Sequence, residues 1–191
     1  MLKLVCFGDS ISARNEGYVN PILTTKLSSK LKDFEIINSG VAGDNTFDAL
    51  KRIEKDVVNH NPDIVTILFG ANDAAFHKMI DLKSYENNLI KIIHSTSPKK
   101  TILISPSPVD EEKQFARNNR ILSKYALIVR KVDETNGSYF IDFFTEMLVQ
   151  DHFQEILEGL ENDGLHFGDK GYDILADLII NKIEEIKLEE G

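Results

Sequence analysis

The chain predicts an α/β fold, a three-layer α/β/α sandwich around a five-stranded parallel sheet. Three observations predict it. Five short apolar runs alternate with amphipathic stretches from end to end. Two of those runs, 64–69 and 101–104, are nearly continuous in β-branched and apolar residues, as strands covered on both faces must be. The repeated strand–helix order implies right-handed crossovers, which make neighbouring strands parallel.

In chain order, residues 2–7 read as the first strand. Asn20-Pro21 then reads as an N-cap followed by proline at the first helical position, where a missing N–H costs nothing. Residues 34–37 form the second strand. Phe47, Leu50, Ile53 and Val57 recur at helical spacing, as do Tyr85, Leu89 and Ile92 after the third strand. The fourth strand, 101–104, runs into Ser105-Pro106-Ser107-Pro108, a loop and not a domain boundary. A long polar-rich helix is predicted over 111–134, with Phe115, Ile121, Leu122, Tyr125 and Val129 facing inward. Residues 139–141 form the fifth strand. The last helix carries Ile174, Leu175, Leu178, Ile179, Ile183 and Ile186 on one stripe, with Lys182 and Lys187 toward its negative end.

The chain has 191 residues, 22 Lys+Arg against 31 Asp+Glu, and a formal net charge of -9. That length predicts one domain, residues 1–191, able to bury roughly 70% of its unfolded surface without a disulfide or metal. The negative balance argues against nucleic acid and anionic membrane surfaces, which attract clustered Lys and Arg. Cys6 is the single cysteine and lies within an apolar strand, so it reads as a small buried hydrophobe and not a reactive thiol. The apolar opening is too short for a secretory leader, and no run approaches the ~18 residues of a membrane span. A cytoplasmic location is the expectation.

In open α/β sheets, ligands bind beyond the C-terminal strand ends. Gly8-Asp9-Ser10-Ile11-Ser12 leaves the first strand and offers a serine at that edge. Residues 38–46, Asn-Ser-Gly-Val-Ala-Gly-Asp-Asn-Thr, follow the second strand and lead into a helix capped by Asn45 or Thr46. Their two glycines leave backbone N–H groups open to a ligand, but they do not make a dinucleotide fingerprint. Gly70-Ala71-Asn72-Asp73 follows the third strand, where a neutral amide can donate a hydrogen bond. Asp163-Gly164-Leu165-His166 precedes the last helix, and an aspartate there can orient the imidazole if the segment turns. Each of these also has a plain reading, as a capping serine, a glycine-rich connector, an Asx turn or a chance pair. The other histidines, His60, His77, His94 and His152, lack comparable context.

Order and placement together are stronger than any part. The chain resembles the SGNH hydrolases, also called the GDSL esterase/lipase family. The first family block corresponds to Phe7-Gly8-Asp9-Ser10-Ile11, the second to Asn38, Gly40 and Gly43, the third to Gly70, Asn72 and Asp73, and the last to Asp163 and His166. Phe69 to Ala74, Asp163 to Phe167 and Lys170-Gly171-Tyr172 look like the isoamyl acetate-hydrolysing esterase branch. Two departures are visible: Ser12 stands where relatives often carry threonine, and Phe167 where many carry proline.

The resemblance implies a flavodoxin-like SGNH hydrolase fold and a serine carboxylic ester hydrolase. It assigns Ser10 as nucleophile, His166 as general base and then acid, and Asp163 as the residue orienting His166. It assigns the oxyanion hole to the N–H groups of Ser10 and Gly43 and the amide of Asn72. Asp9 and Asp73 are expected to support the loops around Ser10 and Asn72. No metal and no cofactor are expected, and the implied partner is a small-molecule ester with a short acyl chain. Ser105 to Val109 is expected to form one pocket wall. Met147, Leu148, Phe153, Ile156 and Leu157 are candidates either for another wall or for the core. Acetylated carbohydrates, lysophospholipids and thioesters stay open as substrates, and so does oligomeric state. The competing classes are a metal-dependent phosphoesterase, which lacks histidine ligands after the first strand, and a non-catalytic binding module, which has no need of these residues together.

Overall fold

The computed structural model describes residues 1–190. Strands β1 (Leu2–Gly8), β2 (Phe34–Gly40), β3 (Ile64–Leu68), β4 (Thr101–Ile104) and β5 (Tyr139–Ile141) form one parallel sheet in the order β2-β1-β3-β4-β5. The winding steps outward one way from β1 to β2 and the other way from β3 to β5. The point of reversal therefore lies between β1 and β3, where an α/β sheet opens a crevice at its C-terminal edge.

Side-chain alternation along β1 divides the core in two. Leu4 and Cys6 point into one cluster with α2 (Ile22–Lys30) and α8 (Asp169–Glu190). Val5 and Phe7 point into another with α3 (Thr46–Asp56), α4 (Leu82–Thr96) and α5 (Asn119–Asn136). All four are 0% exposed, which is why this strand reads as an unbroken apolar run. The predicted three layers and five parallel strands are those observed.

Local chemistry sets the helix starts. Asn45 caps α3, accepting from the N–H groups of Phe47 and Asp48 while Asp48 accepts from the N–H of Asn45. Pro21, not Asn20, occupies the cap of α2, and its carbonyl accepts from the hydroxyls of Thr24 and Thr25. On α8 the predicted stripe is present: Leu175, Ile179, Ile183 and Ile186 are buried, and Ile174 and Leu178 lie at its margin. Lys187 sits over the Phe34 ring, 4.9 Å from its centroid.

One predicted helix starts late. Residues 111–118 form turns, and α5 begins only at Asn119, capped by the Asn118 side chain on the Ile121 N–H at 2.8 Å. Phe115 is accordingly exposed and not inward. Two side chains account for the delay. Asp110 accepts from the Glu112 N–H, and Asn119 clasps both the N–H and the carbonyl of Val109, folding 109–119 into a closed loop. Beyond β5, the chain forms α6 (Phe143–Leu148) and α7 (Phe153–Ile156). Met147 and Leu157 there are fully buried core, whereas Leu148 faces solvent.

Candidate active site

Ser10 is placed by an abrupt strand exit. Asp9 ends the strand and caps the one-turn helix α1 (Ser10–Ala13), its Oδ1 accepting from the Ile11 N–H at 2.9 Å. Gly8 is demanded by space: a Cβ there would lie 2.2 Å from Ser12 Oγ and 2.8 Å from the Leu68 carbonyl. The helix is held from two sides. The Tyr172 hydroxyl on α8 donates to the Ile11 carbonyl at 2.8 Å, and Asn38 Nδ2 on β2 donates to the Ser12 carbonyl at 2.6 Å.

The 163–166 segment folds its own aspartate onto its histidine. Asp163 Oδ1 accepts from the N–H groups of Leu165 and His166 at 3.0 and 2.9 Å, and Oδ2 meets His166 Nδ1 at 2.8 Å. His166 Nε2 lies 2.9 Å from Ser10 Oγ, joining residues from opposite ends of the chain. Burial pushes the Asp163 carboxyl up, but these N–H bonds and the imidazole outweigh it and hold the group below the usual carboxylate range. An ionised Asp163 only accepts. Nδ1 therefore carries the ring proton and Nε2 is left to accept from the Ser10 hydroxyl.

The second half of the site is built by the loops after β2 and β3. Gly43 turns with φ +84, in the left-handed region that favours glycine. Asn72 Nδ2 donates to the Asp44 carbonyl at 2.9 Å, and its Oδ1 accepts from Arg117 Nη2 at 3.0 Å. Asp73 Oδ1 accepts from both the N–H and the hydroxyl of Thr46, tying the β3 loop to the start of α3. Arg52, on α3, donates to the Gly8 and Ser39 carbonyls and to Asp44, and stacks over Phe7 at 4.4 Å. Among the described residues, no main-chain carbonyl accepts from the N–H of Ser10 or Gly43. Beside a nucleophile, free N–H groups of this kind can meet a developing oxyanion.

Two carboxyls in this half are strongly perturbed. Burial pushes Asp9 up to about 7 and Asp73 up to about 6, in each case against hydrogen bonds that favour the charged form. Ser105 to Val109 is buried, and the Ser105 hydroxyl accepts from the Phe144 N–H at 2.9 Å. Pro106 and Ser107 join Asp9 and Ile11 around a small cavity of about 10 Å³, room for about one water.

Sequence reasoning names Ser10, Asp163, His166, Gly43, Asn72, Asp9 and Asp73, and the structure brings them to one edge of the sheet. It does not find Arg52, whose only sequence signal is a helical cation eight positions after Asp44. Nor does it find Arg117, hidden within a stretch read as helix. Glu161 is a third omission: its Oε2 lies 3.6 Å from His166 Nδ1, and Arg14 pairs with its other oxygen at 3.1 Å. Glu161, Asp163 and His166 form a group able to offer three ligand atoms to a cation. In the observed geometry, both nitrogens of His166 already face Ser10 and Asp163.

A parallel sheet carrying a hydroxyl–imidazole–carboxylate chain beside unpartnered N–H donors defines a class, the acyl-transferring hydrolases of α/β architecture. The particular family follows from comparison with known proteins. Residues 6–174 match the GDSL-like lipase/acylhydrolase family, and the chain belongs to it. The human isoamyl acetate-hydrolyzing esterase 1 homolog is 29% identical, over 97% of this chain and 84% of that protein. An acetylxylan esterase of Geobacillus stearothermophilus is 28% identical, over 78% of this chain and 71% of its own length. Among solved structures, the lipase/acylhydrolase from Enterococcus faecalis superimposes with a TM-score of 0.90 at 34% identity, covering 97% of this chain and 96% of that one. The chain is thus a carboxylic ester hydrolase of the esterase/acylhydrolase type. No helix among the described residues is long and apolar enough to cross a membrane.

Proposed function

We propose that the protein is a serine esterase, acting as one domain on small, uncharged esters with short acyl chains. The observation that carries this reading is the continuous chain from Ser10 Oγ through His166 to Asp163, at 2.9 and 2.8 Å. Ser10 attacks the acyl carbonyl as His166 Nε2 takes its proton, and the imidazolium is held by Asp163. The tetrahedral oxyanion is met by the N–H groups of Ser10 and Gly43 and by Asn72 Nδ2. His166 then passes its proton to the leaving alkoxide, and water, deprotonated by the same imidazole, releases the acid and restores Ser10.

Two features support a small apolar substrate. The loop after β2 enters α3 directly beyond Gly43, leaving little chain there for a lid. Val41, Phe76 and Phe115, on the strand-end loops, and Phe47, in the first turn of α3, are exposed apolar side chains of a kind that suits an uncharged ester. The net charge of -9 disfavours anionic substrates at long range. A free, buried Cys6, its thiol pushed up to about 12 by burial, suits a reducing cytoplasm.

The test is hydrolysis of p-nitrophenyl acetate against longer acyl chains, acetylated sugars, lysophospholipids, thioesters and p-nitrophenyl phosphate, each with and without EDTA. The expected result is fastest turnover of acetate esters, with a serine-directed phosphonate labelling Ser10 and Ser10→Ala losing both label and activity. Activity retained in Ser10→Ala sinks the serine mechanism. Activity abolished by EDTA and restored by a divalent ion favours the metal-dependent phosphoesterase.

A further inference from the structure

We propose that Arg117 is a positioning residue of the oxyanion hole: it locks the Asn72 amide with Nδ2 toward the reacting carbonyl and polarises that N–H. The inference rests on the serine-esterase reading and extends it to a residue outside the family blocks.

Arg117 is buried, at 8% exposure, within the loop that replaces the predicted start of α5. One guanidinium grips two consecutive residues of the β3 loop. Its Nε donates to the Ala71 carbonyl and its Nη2 to Asn72 Oδ1, the latter at 3.0 Å. A planar fork bound at two points fixes the amide plane as well as its position.

The lock works because Asn72 is held at both ends. Its Oδ1 faces a donor, Arg117, and its Nδ2 faces an acceptor, the Asp44 carbonyl. Turning the amide over would set its NH2 against the guanidinium and its oxygen against that carbonyl, exchanging two attractions for two repulsions. Asp44 occupies one Nδ2 hydrogen, leaving the other for the substrate. A cation on the amide oxygen also draws electron density from nitrogen, making the remaining N–H a stronger donor in a site of low dielectric. Burial lowers the Arg117 pKa, and the charges of Asp9 and Asp163 oppose that loss.

The same loop spans the site. Gln114 Nε2 donates to the Asp163 carbonyl at 3.3 Å, and the Ala116 carbonyl accepts from the Phe76 N–H at 2.9 Å. The 114–117 segment thus runs from the backbone of the acid to the amide of the oxyanion hole.

A double-mutant cycle on p-nitrophenyl acetate hydrolysis tests this, using Arg117→Ala, Asn72→Ala and the pair, with folding followed by thermal melting. Arg117→Ala is expected to lower kcat by about 10–100-fold with KM within about twofold, since the amide acts chiefly on the transition state. In the Asn72→Ala background the same change should cost less than about twofold, because the residue acts through Asn72. Added guanidinium should restore part of the activity of Arg117→Ala and none of that lost in the pair. A folded Arg117→Ala with parental kcat overturns the proposal, and so does full additivity with Asn72→Ala, which makes Arg117 a structural staple. If Arg117→Ala does not fold, the cycle is run with Arg117→Met, which keeps the apolar stem and removes both the charge and the fork; the same two outcomes decide. Ser10→Ala is assayed beside them. If it is inactive, a failed cycle refutes the Arg117 role alone, and if it is active the serine reading falls and takes this inference with it.

Discussion

The two halves of the site are built differently. The proposed proton-transfer half, Ser10, Asp163 and His166, is half-buried, its side chains joined in line by one hydrogen bond at each step. The proposed oxyanion half is cross-tied around the buried Asn72, Asp73 and Arg117: Asn72 to Asp44 and Arg117, Asp73 to Thr46, and the half-buried Arg52 to Gly8, Ser39 and Asp44. The contrast follows from what each half must do. A group that passes protons has to meet substrate and water and to change charge during turnover. A donor set that stabilises an oxyanion works only if its dipoles are aimed beforehand and need not reorganise. One half is built for access and the other for rigidity.

The contrast is broken most severely at His166. On the proposed mechanism His166→Ala removes base and acid together and leaves only the donor set, so kcat/KM should fall by about 10⁴-fold or more, measured on p-nitrophenyl acetate. The melting temperature should change little, because the polar partners of the ring among the described residues are Ser10, Asp163 and Glu161 at the site itself; a large loss of stability with modest loss of rate would invert the comparison. Next in size is Asn72→Ala. One of the three proposed donors is lost, and kcat should drop about 10²–10³-fold with KM nearly constant. An equal effect on KM alone would place Asn72 in ground-state binding.

The smallest effect sharpens the electrostatic side. Asp9 titrates near 7 in the fold against 3.8 for an ordinary aspartate, because burial disfavours its charge. Between those values the folded state holds more protons than the unfolded chain. Asp9 therefore lowers stability progressively as pH rises through that window. Asn at this position keeps an oxygen for the Ile11 N–H and never ionises. Asp9→Asn should melt a few degrees above the parent at pH 8 and close to it at pH 4.5. A difference independent of pH would show that Asp9 does not titrate in this window.

The legible parts of this molecule are those set by short sequence distance. Asp9 caps the turn that presents Ser10, Asn45 caps α3, and Asp163 reaches His166 across one turn of chain, so residues at neighbouring positions settle each arrangement. The strands of β1 and β3 are legible because both faces are buried, and an apolar run admits few other solutions. Loop 111–118 was illegible as a loop. Its composition suits a helix, and only the Asn119 clasp on Val109 and the contacts of Arg117 and Gln114 with distant loops hold it otherwise. Tertiary contacts overrode a local propensity of a few tenths of a kcal/mol per residue.

By itself, then, the sequence determined the α/β class, the strand ends at which chemistry could sit, and the motif residues that point to an acyl hydrolase. The first two depend on periodicity and on side chains that bond within a few positions of themselves; the third rests on the resemblance of those motifs to a known family. The tertiary structure alone decided that Arg52 clamps the exits of β1 and β2 and that Arg117 reaches Asn72 from the loop after β4. Buried cations must find partners wherever the fold supplies them, and partners tens of residues away leave no mark on the local sequence.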